Sequence, residues 1–349
     1  MDLKEKVKNL PQTPGVYLMK DKDKNIIYVG KSKCLKNRVS QYFTSSYAPS
    51  KKITRMIKFI DDIEIIKTDT ELDALLLECK LIKKIQPMYN TLMKNDKKYA
   101  YFKIDISDEY PSLELSIEKN DNSLYFGPYT SIHKLEFIGE VLTKYFKIRT
   151  CKGTRKLKGC INYELGFCLG PCKNKDKSSY NKSIDKLINT LNGKDKDILD
   201  DLNSKMIEAI KNLNFEIASK YRDEIEALKV IIQKSEAINY TKQSKIILLK
   251  ADLDDDYKKI YILKGINVLY SKLIKIEDIK SYNFENELLD NIDRIINTNY
   301  EKDRNYIKKE ELDISNIIYS YIKYNDYCSY IDIGKKVNNK EEIGSFIKD

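Results

Sequence analysis

Residues 15–32 read GVYLMK-DKDK-NIIYVG-KS, two short β-branched and aromatic runs separated by a polar tetrapeptide. Such runs favour extended strands, and the DKDK between them predicts a β-hairpin. Pairing Lys20 with Asn25 sets Tyr17 directly opposite Tyr28, so both phenols share one face of the sheet. Gly30, at the end of the second strand, leaves room for a close-approaching group. Two other readings of the stretch fail on spacing. Gly30-Lys31-Ser32 ends like a nucleotide-binding P-loop, yet Asn25 occupies the place of the first loop glycine, and the residues between form a strand rather than a flexible turn. Asp21-x-Asp23-x-Asn25 begins like a calcium loop, yet Ile26 stands where glycine is needed and Ser32 where a bidentate glutamate is needed.

Downstream, KSKCLKNRVSQYF (31–43) interleaves Lys31, Lys33, Lys36 and Arg38 with Leu35, Val39 and Tyr42. The spacing predicts a helix with one basic face, suited to phosphate contacts if it borders a cleft. A second helix is predicted after Thr68-x-x-Glu71, read as a capping box, with Pro87 limiting its far end. Within it, ALLLECKLI (74–82) carries one carboxylate, Glu78, among apolar neighbours. A charge so placed is costly unless it is paired, hydrogen-bonded or bound to a cation, so Glu78 is a candidate metal ligand.

The whole chain narrows the function classes. Its 349 residues suffice for two or three domains, and its 42% hydrophobic content fits a globular protein. No apolar run of membrane-spanning length occurs, and MDLKEKVKNLPQ lacks the apolar segment of a signal peptide, so a cytoplasmic location and no membrane partner are expected. Seven cysteines, an odd number, then argue for free thiols or metal ligands over a disulfide framework. A net charge of +10 suits a polyanionic partner. The single histidine, His133, excludes any His-rich zinc site built from this chain, and acid–base work must fall to Tyr, Lys, Asp or Glu.

Together, PGVY (14–17), IIYVGKSKCLKNRVSQYF (26–43) and ELDALLLECKLIKKIQPMYN (71–90) resemble the GIY-YIG nuclease domain, specifically its UvrC branch. Gly15-Val16-Tyr17 matches the first signature element and Tyr28-Val29-Gly30 the second. Lys31 matches the lysine that follows, Arg38 the family's arginine, Glu78 its metal-binding glutamate and Asn90 the asparagine ending the motif. The resemblance implies a small antiparallel sheet flanked by helices over residues 1–97. It also implies hydrolysis of one DNA phosphodiester with a single Mg²⁺ or Mn²⁺ held by Glu78. Arg38 would stabilise charge on the phosphoryl oxygens, and Lys31, Lys33, Lys36 and Arg38 would meet DNA phosphates. The resemblance leaves open whether Tyr17 or Tyr28 takes the proton from the attacking water; Tyr17 is the preferred base, with Tyr28 orienting water and metal and Asn90 helping to position the group. A free phenol titrates near ~10, so nearby cations would have to lower that value.

Residues 98–185 are similar to the UvrC connector, with strand-like YFKIDI and SLELSI, the phrase YFGPYT (125–130) and the cluster Cys151-x8-Cys160-x7-Cys168-x3-Cys172. Four thiols so close, with Gly153, Gly159, Gly166, Gly170 and Pro171 among them, can wrap one metal centre. Spacing alone does not separate zinc from iron–sulfur; the resemblance implies a 4Fe–4S cluster of structural role, with Zn²⁺ the alternative. Over 195–236, apolar residues recur three and four apart on both sides of Asn214, which predicts an antiparallel helical hairpin in need of a partner surface. The stretch 206–228 resembles the UVR motif. It implies binding to UvrB through Phe215, Ala218, Tyr221, Arg222, Ile225 and Leu228, with UvrA involved indirectly and damaged double-stranded DNA as substrate.

Residues 240–349 read as a small α+β region, strand-like over 245–278 and helical over 285–298 and 310–324. In the family this position opens an RNase H-like domain that needs an Asp-Asp-His set. Here no histidine follows His133, Asn316 stands where the histidine belongs after Asp313-Ile314-Ser315, and the chain ends at 349. A shortened or degenerate remnant is expected, serving as a packing domain or a DNA-binding surface. The whole is then an α+β protein similar to the short, Cho-like form of the family, a repair endonuclease cutting only 3′ to a lesion. Two other functions compete. A non-catalytic adaptor for UvrB and DNA is disfavoured by the intact Tyr17, Tyr28, Arg38 and Glu78, and a homing or restriction-type nuclease by the UVR-like hairpin.

Overall fold

The hairpin at 15–32 forms and seeds the first of three antiparallel sheets. The computed structural model describes residues 3–44, 50–91, 93–94, 99–151, 160–173, 177–243, 245–279, 281–298, 311–334 and 340–348. Its first part runs α1 (Leu3–Lys8), β1 (Gly15–Lys20), β2 (Ile26–Ser32), α2 (Leu35–Gln41), α3 (Lys51–Ile57), β3 (Asp62–Lys67) and α4 (Glu71–Ile85). The middle holds β4 (Ala100–Ile104), β5 (Leu113–Ser116), β6 (Leu124–Tyr129), α5 (Ile132–Tyr145), α6 (Ile161–Glu164), α7 (Lys177–Leu191), α8 (Asp197–Lys211) and α9 (Phe215–Lys242). The last part has β7 (Ile246–Asp252), β8 (Tyr257–Lys264), β9 (Asn267–Lys275), α10 (Ile276–Ile279), α11 (Tyr282–Asn297), α12 (Leu312–Tyr324), β10 (Cys328–Asp332) and α13 (Lys340–Lys348). The chain divides into two units, residues 1–96 with 240–349, and residues 97–239. Among the described residues no helix is long and apolar enough to cross a membrane.

The hairpin differs from its expected register. Tyr17 pairs with Gly30 and Met19 with Tyr28, and an irregularity between Met19 and Lys20 brings Lys20 opposite Ile26. The turn is therefore Asp21–Asn25, closed by the Asp21 carboxylate accepting from the Asp23 and Asn25 amides, with Lys24 at φ 65°. Because Tyr17 and Met19 are two apart, the phenols still share a face, as diagonal rather than direct neighbours, with ring centroids 6.2 Å apart. The cap of α4 also differs: Thr70 is the N-cap and Asp73 completes the box, each bonding the other's backbone, while Thr68 Oγ1 donates to the Thr70 carbonyl.

In the first unit, β2-β1-β3 form one sheet, and β10-β7-β8-β9 another, all antiparallel. The run IILLKA in β7 is apolar without alternation because both faces of its sheet are covered. Ile246 and Leu248 face a core with Phe284, Leu288 and Ile343, whereas Ile247, Leu249 and Ala251 face Ile318, Tyr321 and Ile322 of α12. The strand β10, which the sequence reading left unassigned, pairs along the β7 edge.

The second unit carries β5-β4-β6. Its core joins Phe102 and Tyr129 of this sheet to Leu135 and Leu142 of α5, Leu187 of α7, Leu202 of α8 and Leu228 of α9.

Gly30 decides how tightly this hairpin closes. A Cβ there would lie 2.4 Å from Cζ and from the hydroxyl of Tyr17, so the space it leaves is filled by the Tyr17 ring and not by a substrate. Gly30→Ala should cost about 1–3 kcal/mol through overpacking, read as a lower urea midpoint with unchanged slope. A midpoint equal to that of the unsubstituted protein would show that the ring moves aside freely.

Candidate active site

The strand β2 lies at an edge of its sheet, so the outward N–H and C=O groups of alternate residues need partners from elsewhere. At Ile27 the carbonyl accepts from the Tyr89 amide at 2.9 Å. At Val29 the Asn90 side chain serves both groups, its Oδ1 accepting from the amide at 3.0 Å and its Nδ2 donating to the carbonyl at 2.8 Å. At Lys31 the amide donates to Glu78 Oε1 at 3.0 Å. Asn90 is thus a buried clamp on the strand, and Glu78 is pinned where α4 crosses it. Glu78 is half-buried and its Oε2 takes no hydrogen bond from a described residue. Burial raises its carboxyl above the ordinary glutamate value, offset in part by the Lys31 amide and then the Lys31 charge.

Three phenols meet one another nearby, and Tyr28 is the one that feels the Glu78 charge. Tyr17 is 1% exposed and its hydroxyl lies 2.9 Å from that of Tyr42, just past α2. Burial, then Tyr42 and Tyr28, hold the Tyr17 phenol well above the ordinary tyrosine value. Tyr28 is half-buried, and burial followed by Tyr42 and Glu78 raises it as well, with Arg38 pulling the other way. Arg38 of α2 stacks over the Tyr42 ring at 5.3 Å and donates to Gln41 Oε1 at 3.2 Å. Tyr42 joins the two expected tyrosines at this point; in the sequence its only signal was an apolar position at helical spacing.

The expected basic residues are placed differently from one another. The Lys31 ammonium bonds Glu71 Oε1 at 2.6 Å and that of Lys33 lies 2.9 Å from Glu71 Oε2, so one carboxylate in the first turn of α4 bridges both. Burial would raise Glu71, but its bonds to the two lysines outweigh that and hold it below the ordinary value. Lys36 lies with Arg38 on α2. A separate cavity of about 1000 Å³ is lined by Lys22, Lys51, Lys52, Arg55 and Lys58 and also by Asp21, Asp23 and Asp61, together with Phe59 at 52% exposure.

Among the described residues no three His, Cys, Asp or Glu side chains converge as a metal cage. The expected cage of Cys151, Cys160, Cys168 and Cys172 is therefore not assembled among the described residues. These four thiols share a neighbourhood: burial raises Cys168, the Gly170 amide opposes it, and Cys151, Cys160 and Cys172 add to the rise. Gly153 and Gly159 lie outside the described residues. In the helical hairpin, Ala218, Ile225 and Leu228 are buried in their own unit, so they are not available to a partner, and Tyr221 packs beside them. Phe215 and Arg222 are exposed, and the apolar surface at the tip continues through Ile207, Ile210, Leu213 and Ile217. Asp313, read as part of a catalytic signature, instead pairs with Lys83 of α4 at 3.0 Å.

Family models match the chain in three consecutive segments: the UvrC-like GIY-YIG domain over residues 13–91, the middle domain of UvrC/Cho excinuclease over 99–190, and the UvrB/UvrC motif over 196–231. The chain belongs to the UvrC family. UvrABC system protein C of Clostridium botulinum strain Loch Maree is 41% identical over 286 residues, which are 79% of this chain and 46% of that protein. The same protein of Caldanaerobacter subterraneus is 41% identical over 262 residues, 73% of this chain and 42% of its own length. This UvrC-family chain therefore spans about half the length of the curated relatives it matches. The solved GIY-YIG N-terminal endonuclease domain of UvrC from Thermotoga maritima, bound to its catalytic divalent cation, magnesium, is 37% identical. The match covers 26% of this chain and 96% of that one, at a TM-score of 0.23.

The raised Glu78 carboxyl sets a pH dependence. With a cation on Glu78, protons would compete for this oxygen at pH values above the ordinary 4.5. Mg²⁺ affinity measured by calorimetry should rise by about tenfold per pH unit up to that raised value and level off above it. A plateau already reached below 4.5 would contradict the site as described.

Proposed function

We propose that this chain is a DNA endonuclease of nucleotide excision repair, hydrolysing one phosphodiester 3′ to a lesion in a UvrB–DNA complex. The observation that carries the reading is the half-buried Glu78, tied through Oε1 to the Lys31 amide and close enough to act on Tyr28, which clusters in turn with Tyr17, Tyr42 and Arg38. A Mg²⁺ or Mn²⁺ on Glu78 would polarise the scissile phosphate and lower the proton affinity of bound water and of the phenols nearby. The Arg38 guanidinium offers planar N–H donors to the phosphoryl oxygens. Lys31 and Lys33 can exchange Glu71 for DNA phosphates, and the basic side chains of α3, Lys51, Lys52 and Arg55, offer contacts for the flanking duplex.

Between the two signature tyrosines, accessibility reverses the assignment expected from the sequence. Tyr17 is enclosed with its hydroxyl on Tyr42, which suits a residue that holds the cluster together. Tyr28 is the more open phenol and senses Glu78 directly, so Tyr28 is the better acceptor for the proton of the attacking water. On a lesion-bearing duplex loaded with UvrB, Glu78→Gln should abolish nicking and Tyr28→Phe should lower kcat by about 10²–10⁴-fold, with Tyr17→Phe less affected. Cutting by Glu78→Gln at the normal rate would remove the nuclease assignment.

The exposed tip of the α8–α9 hairpin is the surface proposed for UvrB, with UvrA acting upstream and the cytoplasm as the setting. Leu213→Glu with Phe215→Glu should weaken UvrB binding by at least tenfold, about 1.4 kcal/mol, without lowering the melting temperature. Unchanged affinity would place the contact elsewhere. The cysteine segment is read as a metal seat, 4Fe–4S with Zn²⁺ the alternative, supported by four thiols within one short stretch of the matched UvrC/Cho middle domain.

A further inference from the structure

The helix that carries Glu78 is held from two sides. One stripe, Ala74 and Ile82 with Leu77 and Leu81 beside them, packs on Val16, Leu18 and Val29 of the first sheet. A second stripe, Leu72, Leu76 and Cys79, packs on residues from the other end of the chain, Leu249, Tyr261, Ile318 and Ile322. Polar contacts mark both ends of that second stripe. At the start, the N-cap Thr70 hydroxyl is hydrogen-bonded to the Tyr261 hydroxyl, and the Lys259 ammonium pairs with Asp69 while standing 3.8 Å from Asp73, the other half of the capping box. At the last turn, Lys83 pairs with Asp313 at 3.0 Å.

We propose that residues 240–349 act as a clamp on α4, with Tyr261, Lys259 and Asp313 as positioning residues that fix the roll and axial placement of the helix and thereby aim Glu78. Successive residues on a helix point about 100° apart, so Cys79 faces the clamp while Glu78 faces β2. Contact with one sheet alone restrains a helix poorly against rolling, and a second stripe on nearly the opposite face removes that freedom. The side chain of Lys259 is 9% exposed, so its charge depends on Asp69 and Asp73 and draws the helix start toward the second sheet. This region has no role in the readings above beyond packing or a DNA-binding surface, and the inference rests on Glu78 being the metal-binding residue.

The test uses the full chain and Mn²⁺ alone, counted by electron paramagnetic resonance, together with hydrogen exchange of the α4 amides. Tyr261→Phe and Lys259→Met should each weaken Mn²⁺ binding by about tenfold, the lower end for partners that orient a metal ligand. Exchange of the amides at 71–79 should quicken in both, and Lys259→Arg should restore both readouts. As a control, Leu288→Ala opens the core on the opposite face of the second sheet and should leave Mn²⁺ affinity unchanged. Tyr261→Phe removes a single oxygen, which keeps the test available if Lys259→Met does not fold. Unaltered affinity and exchange in Tyr261→Phe, or an equal loss in Leu288→Ala, would overturn the clamp. If Glu78→Gln binds Mn²⁺ like the unsubstituted chain, the metal assignment fails, and exchange at 71–79 still decides the clamp.

Discussion

The unpaired edge of β2 is the constraint from which the site follows. An edge strand must find partners for every second N–H and C=O, and here Tyr89, Asn90 and Glu78 supply them at Ile27, Val29 and Lys31. Each partner brings a functional element to the same line. Asn90 and Tyr89 lock the chain that leaves α4, and Glu78 sets α4 itself against the strand. The carboxylate therefore sits beside the phenols because satisfying the strand puts it there. Water at this edge would have satisfied the backbone equally well, but it would have left the Glu78 carboxylate unplaced.

Once placed, the group is electrically tense. Burial disfavours the charged forms of Glu78, Tyr17 and Tyr28 together, and only Arg38, the Lys31 amide and the Lys31 charge oppose it. A divalent cation placed on Glu78 would favour its ionised form and lower the proton affinity of the phenols nearby. The Glu71 carboxylate keeps Lys31 and Lys33 near this centre without neutralising Glu78. Around it, the tight fit of Tyr17 over Gly30 and the contacts of α4 with β8 and α12 supply the rigidity that such an arrangement needs.

Much of this was legible in the residues and some was not. The hairpin, the shared face of Tyr17 and Tyr28 and the oddity of Glu78 in an apolar helix follow from local pattern. The register slipped by two because a bulge at Met19/Lys20 and the Asp21 carboxylate turn are set by backbone hydrogen bonds that no alternation reveals. The capping box was misplaced because two overlapping candidates, Thr68/Glu71 and Thr70/Asp73, satisfy the same rule, and Tyr261 on a distant strand takes part at the second. Tyr42 carries no mark beyond being aromatic. Ala218, Ile225 and Leu228 read as a partner face because sequence periodicity reports that a stripe is covered, not by what. Their cover is the core of their own unit, and the free apolar surface lies at the hairpin tip, at Leu213 and Phe215.

The central claim is that one carboxylate, Glu78, receives the cation at the edge of β2. Anomalous diffraction from crystals soaked in Mn²⁺ tests it directly. The account predicts one strong peak at about 2.1 Å from a Glu78 oxygen, on the side facing Tyr28. A peak at another carboxylate, with Glu78 bare at saturating Mn²⁺, would contradict it.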